Sequence, residues 1–266
     1  MTVATWNVNS IRARRDHLLR WLDLRQPDVC CLQELKCADA DFPFFELEAR
    51  GYHCVVHGEK ARNGVALITK DTAQALQRGF DNDFDAGPAR LLSAQVAGIA
   101  VLNVYVPNGQ APDTPAFEYK RDFLRELRAL LARRYRPEQA LVLVGDFNVA
   151  PADDDVYDPV RLRGSVCFHP DEQADFLYLK SWGVQDVFRR LQPHGKHFSW
   201  WDYRAGGFPR NEGLRLDHIL ATRALAEHCV RCDIDREPRG WERPSDHAPV
   251  LAEFAAHDCS QPSGRM

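Results

Sequence analysis

No stretch of this chain is apolar for long enough to cross a bilayer, and the longest runs, such as 141–144, are far too short. The N-terminus enters a strand-like run at once, without a charged segment followed by an apolar one. A secretory leader is therefore not expected, and the cytoplasm is. A basic excess is also missing: 34 Lys and Arg stand against 38 Asp and Glu, a formal net charge of −4. Taken alone, that argues against a general nucleic-acid binder, which is usually basic. It decides little, because a metal site built from acids lowers the net charge while a basic rim still holds phosphates. A second cysteine pair is absent too. Cys229 and Cys232 form a lone CxxC among eight cysteines, with no nearby His pair, whereas structural zinc usually needs four ligands. The cysteines read as reduced, small hydrophobes. Low-complexity tracts, long linkers and short-period repeats are lacking as well.

What is present is an alternation of apolar runs and amphipathic stretches. Strands are expected at 3–8, 29–33, 53–57, 65–69, 91–96, 99–106, 141–145, 218–222, 229–235 and 250–254, several being Val/Ile/Leu runs bounded by Gly, Pro, Asn or Asp. Asn63-Gly64, between two of these runs, is a turn signal. Ile11, Leu18, Leu19 and Leu22 recur at helical spacing, and Pro27 closes that segment. Phe123, Leu124, Leu127, Leu130 and Leu131 form the stripe of a second helix, with Arg121, Arg125, Glu126 and Arg128 towards water. A third helix is expected over 172–182. Many strands and few helices predict two sheets packed face to face with helices outside. With no break in composition, 1–256 reads as one domain and the polar 257–266 as a fraying tail.

Polar residues gather where these strands end. The first run leads into Asn7 and Asn9, and the second into Gln33-Glu34. The run at 99–106 carries Tyr105 and meets Pro107-Asn108-Gly109. The run at 141–145 leads into Asp146 and Asn148. Leu216-Asp217-His218 and Ser245-Asp246-His247 follow near the C-terminus. Glu34, Asp146, Asn148 and Asp246 are hard oxygen donors, suited to Mg²⁺ or Mn²⁺ rather than zinc. His247, next to Asp246, suits acid, base or phosphate-binding work. Asn7, Asn108 and Asn148 offer neutral donors to phosphate oxygens. Any one of these residues is more often a turn, cap or surface residue; it is their recurrence at strand ends that points to metal-assisted phosphate hydrolysis. Ser245-Asp246-His247 is not read as a hydrolase triad, which is assembled in space and not from neighbours.

The motifs carrying this chemistry are Trp6-Asn7-Val8-Asn9, Leu32-Gln33-Glu34-Leu35-Lys36, Tyr105-Val106-Pro107-Asn108-Gly109 and Gly145-Asp146-Phe147-Asn148-Val149-Ala150-Pro151. Ser199-Trp200-Trp201-Asp202-Tyr203-Arg204, Gly213-Leu214-Arg215-Leu216-Asp217-His218 and Pro244-Ser245-Asp246-His247-Ala248-Pro249-Val250 follow in order. Together the chain resembles the exonuclease III / AP endonuclease group of the endonuclease/exonuclease/phosphatase superfamily. The resemblance implies an α/β, DNase I-like fold: a four-layered sandwich of two mainly antiparallel sheets flanked by helices, in two pseudo-symmetric halves. It implies Glu34 as a principal metal ligand, with Asn7, Asp146, Asn148, Asp246 and His247 near the metal or phosphate. It implies that Asp146 activates or positions the attacking water and that Asn148 helps hold it. His247 would touch the scissile phosphate, oriented by Asp217. Tyr105 would contact phosphate or assist the leaving group, and Asn108 would bind phosphate.

On the substrate side, Trp200, Leu214 and Leu216 match positions that resemble the group's apolar pocket for a flipped-out abasic sugar. The implied partner is double-stranded DNA with an abasic site or a damaged 3′ end, met by a monomer away from membranes. Arg12, Arg14, Arg15, Lys36, Lys60, Arg62, Arg204 and Arg210 are candidates for backbone contacts. The segment 157–170, with Cys167 and Phe168, has no clean match, which leaves open the balance between abasic-site incision and 3′-end trimming. The alternatives are a superfamily phosphatase or nuclease for RNA or small phosphates, and a catalytically dead DNA-binding module. The first would lack the Trp-rich Asp-Tyr-Arg segment; the second would be expected to lose Glu34, Asp146 or His247.

Overall fold

The computed structural model describes residues 1–85 and 87–255; the expected tail at 257–266 lies outside them. Along the chain, β1 (Thr2–Asn7) is followed by α1 (Ile11–Arg25), β2 (Val29–Gln33), α2 (Phe44–Glu48), β3 (His53–His57), β4 (Val65–Thr69), β5 (Gln74–Arg78) and β6 (Leu91–Val96). Next come β7 (Ile99–Tyr105), α3 (Pro115–Arg134), β8 (Leu141–Asp146), α4 (Pro159–Leu162), α5 (Pro170–Lys180), β9 (Val184–Asp186) and α6 (Val187–Leu191). The last stretch holds β10 (Trp200–Trp201), α7 (Gly207–Arg210), β11 (Gly213–Leu214), β12 (Asp217–Thr222), α8 (Arg223–Ala226), β13 (Cys229–Ile234) and β14 (Val250–Phe254).

The strands make two six-stranded sheets, ordered β13-β14-β1-β2-β4-β3 and β5-β6-β7-β8-β12-β9, and a small β10-β11 ribbon. Each large sheet has one parallel pair at its centre, β1–β2 or β7–β8, with antiparallel pairs on both sides. The same pattern therefore occurs twice, as the implied pseudo-symmetry requires. Val3, Val29, Val65 and Leu67 of one sheet meet Leu92, Val101, Val142 and Ile219 of the other in a shared core. Trp6, Leu18, Trp21 and Leu22 pack outside the first sheet, and Leu102, Phe123, Leu127 and Phe176 outside the second. The result is the expected order of helix, sheet, sheet, helix. Strands such as β2 and β4 are buried on both faces, which is why they read as unbroken apolar runs.

Every expected strand is present, with ends shifted by a residue or so. The structure adds β5, β9, β10 and β11. β5 is a polar edge strand (QALQR), and the other three are two or three residues long. Neither case leaves an alternating apolar pattern to read. Asn63 and Gly64 take φ of 43° and 93° in the connection between β3 and β4. The third helix starts earlier than expected because the His169 ring accepts from the Asp171 amide and Pro170 occupies the first turn.

The two parallel pairs place the site. Strands of a parallel pair end on the same edge of their sheet, and the crossover helices α1 and α3 provide the return. The C-terminal ends of β1, β2, β7 and β8 thus gather at one edge of the sandwich. Their antiparallel neighbours β14 and β12 begin there. Gly145 permits the close β7–β8 approach: its φ is 146°, and a Cβ there would sit 1.9 Å from the Val104 carbonyl oxygen. Below the edge, the Gln33 amide donates to Asn103 Oδ1 (2.7 Å), and Asn103 donates to the carbonyls of Leu32 and Ala66 (both 2.9 Å). This buried polar layer fixes one sheet against the other.

Candidate active site

Asn7, at the end of β1, stands between two carboxylates. Its Nδ2 donates to Glu34 Oε1 (2.8 Å) and to Asp146 Oδ2 (2.9 Å). Glu34 follows β2 in the left-handed region (φ 52°), and its Oε2 lies 2.8 Å from Lys36 Nζ. Asp146 ends β8 and is almost fully buried. His247, just before β14, directs Nδ1 to Asp217 Oδ2 (2.8 Å) and Nε2 towards Asp146 Oδ2 (3.7 Å). Ser199 Oγ donates to the same Asp217 oxygen (2.6 Å). Single ligand atoms of Glu34, Asp146 and His247 lie within 4.8 Å of one another. Two largely buried carboxylates this close repel unless a positive charge faces them. The Asn7 Nδ2 group bridges them while its Oδ1 accepts from the Asn9 amide (3.0 Å), and the paired carboxylate oxygens fit a hard divalent cation.

Burial pushes the Asp146 carboxyl above the usual carboxylate range; Asp217 and Glu34 add to this, while His247 and the Asn7 amide oppose it. Burial pulls the other way on His247, but the Asp217 and Asp146 carboxylates outweigh it and raise the imidazole, favouring its cation. Tyr105 pairs with Asp146 across β7–β8. Its phenol is raised above its ordinary value by burial and then by the charges of Glu34 and Asp146, so it is protonated at neutral pH. Arg90 lies over the Tyr105 ring at 4.7 Å.

Asn148 follows Asp146 with φ 52°. Its amide N–H donates to Asp146 Oδ1 (2.9 Å), its Nδ2 donates to the Val106 carbonyl (3.0 Å), and its Oδ1 accepts from Asn108 Nδ2 (3.0 Å). Asp246 is not in the three-residue carboxylate–histidine group. Its carboxylate instead accepts from Asn9 Nδ2 (2.9 Å) and from the Trp200 indole (3.0 Å). Asn9 also accepts from Lys36 Nζ (2.6 Å). Ser245 Oγ donates to the Asn7 carbonyl (2.6 Å), bracing β1 against the 245–247 turn and not addressing the His247 ring.

Trp200, Leu214 and Leu216 form one apolar cluster with Ala150, Val156, Cys167 and Phe168. The unmatched 157–170 segment supplies its far wall. The Ala150 amide donates to the Cys167 carbonyl (2.7 Å), and Cys167 Sγ stands 3.7 Å from Asn108 Nδ2. Burial pushes the Cys167 thiol up to about 12, so it is a packing group and not a nucleophile. Cys229 and Cys232 belong to the inter-sheet core, and the cysteines among the described residues are free.

The basic candidates divide. Arg14 donates to the Asn9 and Pro244 carbonyls and to the Tyr203 hydroxyl, and with Lys36 it borders the site. Arg12, Arg15, Arg62, Arg204 and Arg210 are paired with neighbouring acids on the surface. Reading the sequence gave no role to Asn9, Ser199, Arg215 or Lys120, and left open that of the segment carrying Cys167. Asn9 was within reach of that reading, since it shares the strand-end position of Asn7. The others act through contacts between distant segments, which spacing does not show. The surface cleft lined by Arg25, Arg231 and Asp233 lies away from these residues.

Comparisons with known proteins place the chain in a family. The exodeoxyribonuclease III of Haemophilus influenzae is 38% identical over 96% of this chain and 100% of its own length. An AP endonuclease structure from Archaeoglobus fulgidus superposes with a TM-score of 0.94 at 39% identity, covering 96% of this chain and all of that one. The 3′ phosphatase NExo from Neisseria, solved bound to a product DNA hairpin, gives 0.92 at 39% identity with the same coverage. The model of the Endonuclease/Exonuclease/phosphatase family matches residues 4–247. That span runs from within β1 to the histidine of the site, and with it the chain belongs to the endonuclease/exonuclease/phosphatase family, in its exonuclease III group.

Proposed function

We propose that this chain is a Mg²⁺-dependent DNA-repair phosphodiesterase of the exonuclease III type. It hydrolyses phosphodiester bonds at abasic sites or damaged 3′ ends of duplex DNA by in-line attack of water. The observation that carries this reading is the convergence of Glu34, Asp146 and His247, with Asn7 between the carboxylates, where the strand ends of both sheets meet. Glu34 and Asp146, with Asn7, would hold the cation, and Asp246 would support them through Asn9 and Trp200. When bound, the cation polarises the phosphate and stabilises charge on the leaving 3′ oxygen. Asp146 accepts the proton of the attacking water, a task that its raised pKa suits. Asn148 holds that water, and Asn108 grips a phosphate oxygen. His247, kept cationic and oriented by Asp217, faces the scissile phosphate. Tyr105, protonated, donates to phosphate or to the leaving oxygen. The apolar cluster of Trp200, Leu214 and Leu216 would receive a base-free sugar, because extrusion costs least at a damaged site. The domain spans 1–256 and works as a cytoplasmic monomer.

The test uses labelled duplexes carrying an abasic site, a 3′-phosphate or an undamaged end, each with Mg²⁺ or with EDTA. Cleavage of at least one of them in Mg²⁺ and of none in EDTA is expected; no metal-dependent cleavage of any would sink the reading. The cation assignment has its own test in thermal unfolding. Mg²⁺ at a hundredfold excess over its Kd should stabilise the protein by about 2.7 kcal/mol. Glu34→Gln should lose most of that gain, and an undiminished gain would remove Glu34 from the ligand set.

A further inference from the structure

Lys120 of α3 has no exposed surface and shares its face with the buried Phe117, Phe123 and Leu124, although the charged residues next to it, Arg121 and Asp122, reach solvent. A buried ammonium is tolerated only if its protons are used. Nζ donates to the backbone carbonyl of Asn148 (2.6 Å) and is ion-paired with Glu172, which is equally buried. Glu172 in turn accepts from the His169 amide (3.0 Å), at the end of the segment that supplies Cys167. The lysine stem lies under the Asn108 turn: a Cβ on Gly109 would stand 3.0 Å from Lys120 Cδ. One side chain therefore meets the Asn108 turn and Asn148 directly and reaches the Cys167 segment through Glu172.

Asn148 is where this matters. It holds a left-handed backbone (φ 52°) without being glycine, and its side chain must face Asn108 on one side and Val106 on the other. The direction of its carbonyl and the aim of its side chain are set by the same few torsions. We infer that Lys120 is a positioning residue: its hydrogen bond to the Asn148 carbonyl fixes the Asn148–Asn108 pair in the orientation that holds water and phosphate, and Glu172 is the counter-ion that permits it. This rests on the roles given to Asn148 and Asn108 above.

The experiment separates positioning from simple stability. Lys120→Met leaves Glu172 buried and unpaired, so it is expected to unfold at lower temperature. The double variant Lys120→Met with Glu172→Leu removes both charges, and such exchanges are often neutral for folding. It is expected to melt near the wild-type temperature. Its kcat on a 3′-phosphate or abasic duplex in Mg²⁺ should still be lower by about thirtyfold, with a smaller change in KM, because the Asn148 carbonyl has lost its donor. Recovery of wild-type kcat together with the melting temperature would show a structural pair only and overturn the inference. If the double variant also melts early, kcat per folded molecule below its melting point decides in the same way. Asn148→Ala is the control. Lost turnover there beside normal turnover in the double variant overturns this inference alone, and normal turnover in Asn148→Ala overturns the site reading as well.

Discussion

Replacing Asp146 with Asn is expected to lower kcat by at least about a hundredfold while leaving the protein folded. The substitution keeps the shape and an oxygen to accept the Asn148 amide, but removes the charge and the basic oxygen. The same burial that raises the Asp146 pKa makes its charged form costly in the folded state. A group with a raised folded pKa disfavours folding when it is ionised, so a neutral side chain should leave the melting temperature unchanged or higher at pH 7. His247→Ala is expected to cost a similar factor, by removing the cation that faces Asp146 and Asp217. Stopped-assay kinetics with calorimetric melts of the same samples decide the matter. Near-normal rates in both variants would refute the role assignment, and lost rate with lost folding would leave it without support.

The candidate site residues were legible because of where the two parallel pairs stop. Apart from Thr2 and Thr5 in β1 and Asn103 in β7, the runs of β1, β2, β7 and β8 are apolar up to their C-terminal ends, where Asn7, Gln33-Glu34, Tyr105 and Asp146 close them. A polar residue closing an apolar run is visible without coordinates. What joins the runs was not. The contact between Asn7 and Asp146 crosses between sheets and spans 139 positions of sequence. Asp246 reads from the sequence as a hard oxygen donor, but its partners do not: its carboxylate accepts from Asn9 and Trp200. Lys120 was hidden for another reason. It falls in a run of charged residues on α3 whose other members reach solvent, and only the packing of α5 against α3 closes over it. The 157–170 segment could not be placed because its apolar contacts, through Cys167 and Phe168, are with Leu214 and Leu216 far along the chain.

Arg215 makes the same point for stability, and its replacement by Met is expected to cost about 3–5 kcal/mol. It sits between Leu214 and Leu216, where a strand-like alternation would direct it to water, yet it is 1% exposed. Its Nε donates to Asp155 Oδ1 (2.6 Å), Nη2 lies 2.8 Å from Asp186 Oδ2, and Nη1 is 2.9 Å from His218 Nδ1. Burial alone would raise both acids, but Arg215, joined by Arg189 at Asp155 and by His218 at Asp186, outweighs it and holds both below the usual carboxylate range. After substitution Asp155 keeps the Arg189 guanidinium, whereas Asp186 keeps the Arg189 backbone N–H (3.2 Å), with His218 Nδ1 3.7 Å away. The loss is a large share of the 5–15 kcal/mol typical of a folded domain, and should lower the melting temperature by on the order of 10 °C. The pH dependence identifies the cause. Carboxyls with depressed folded pKa values contribute stability above their unfolded value of about 3.9, and lose it as pH falls from there through the folded value. The gap between wild type and Arg215→Met should therefore be widest near neutrality and narrow below about pH 4. Denaturant unfolding at pH 7, 5 and 3.5 measures it; a gap independent of pH would mean that lost packing, and not the buried charges, sets the cost. The cluster also connects to the site. Arg215 is buried and anchors the 155–156 loop, its backbone N–H donating to the Asp155 carbonyl (2.8 Å), while His218 Nε2 contacts the Val149 carbonyl at 2.8 Å, one residue beyond Asn148. Arg215→Met should consequently impair cleavage at temperatures where it is still folded, because the apolar cluster and the Asn148 turn share this anchor.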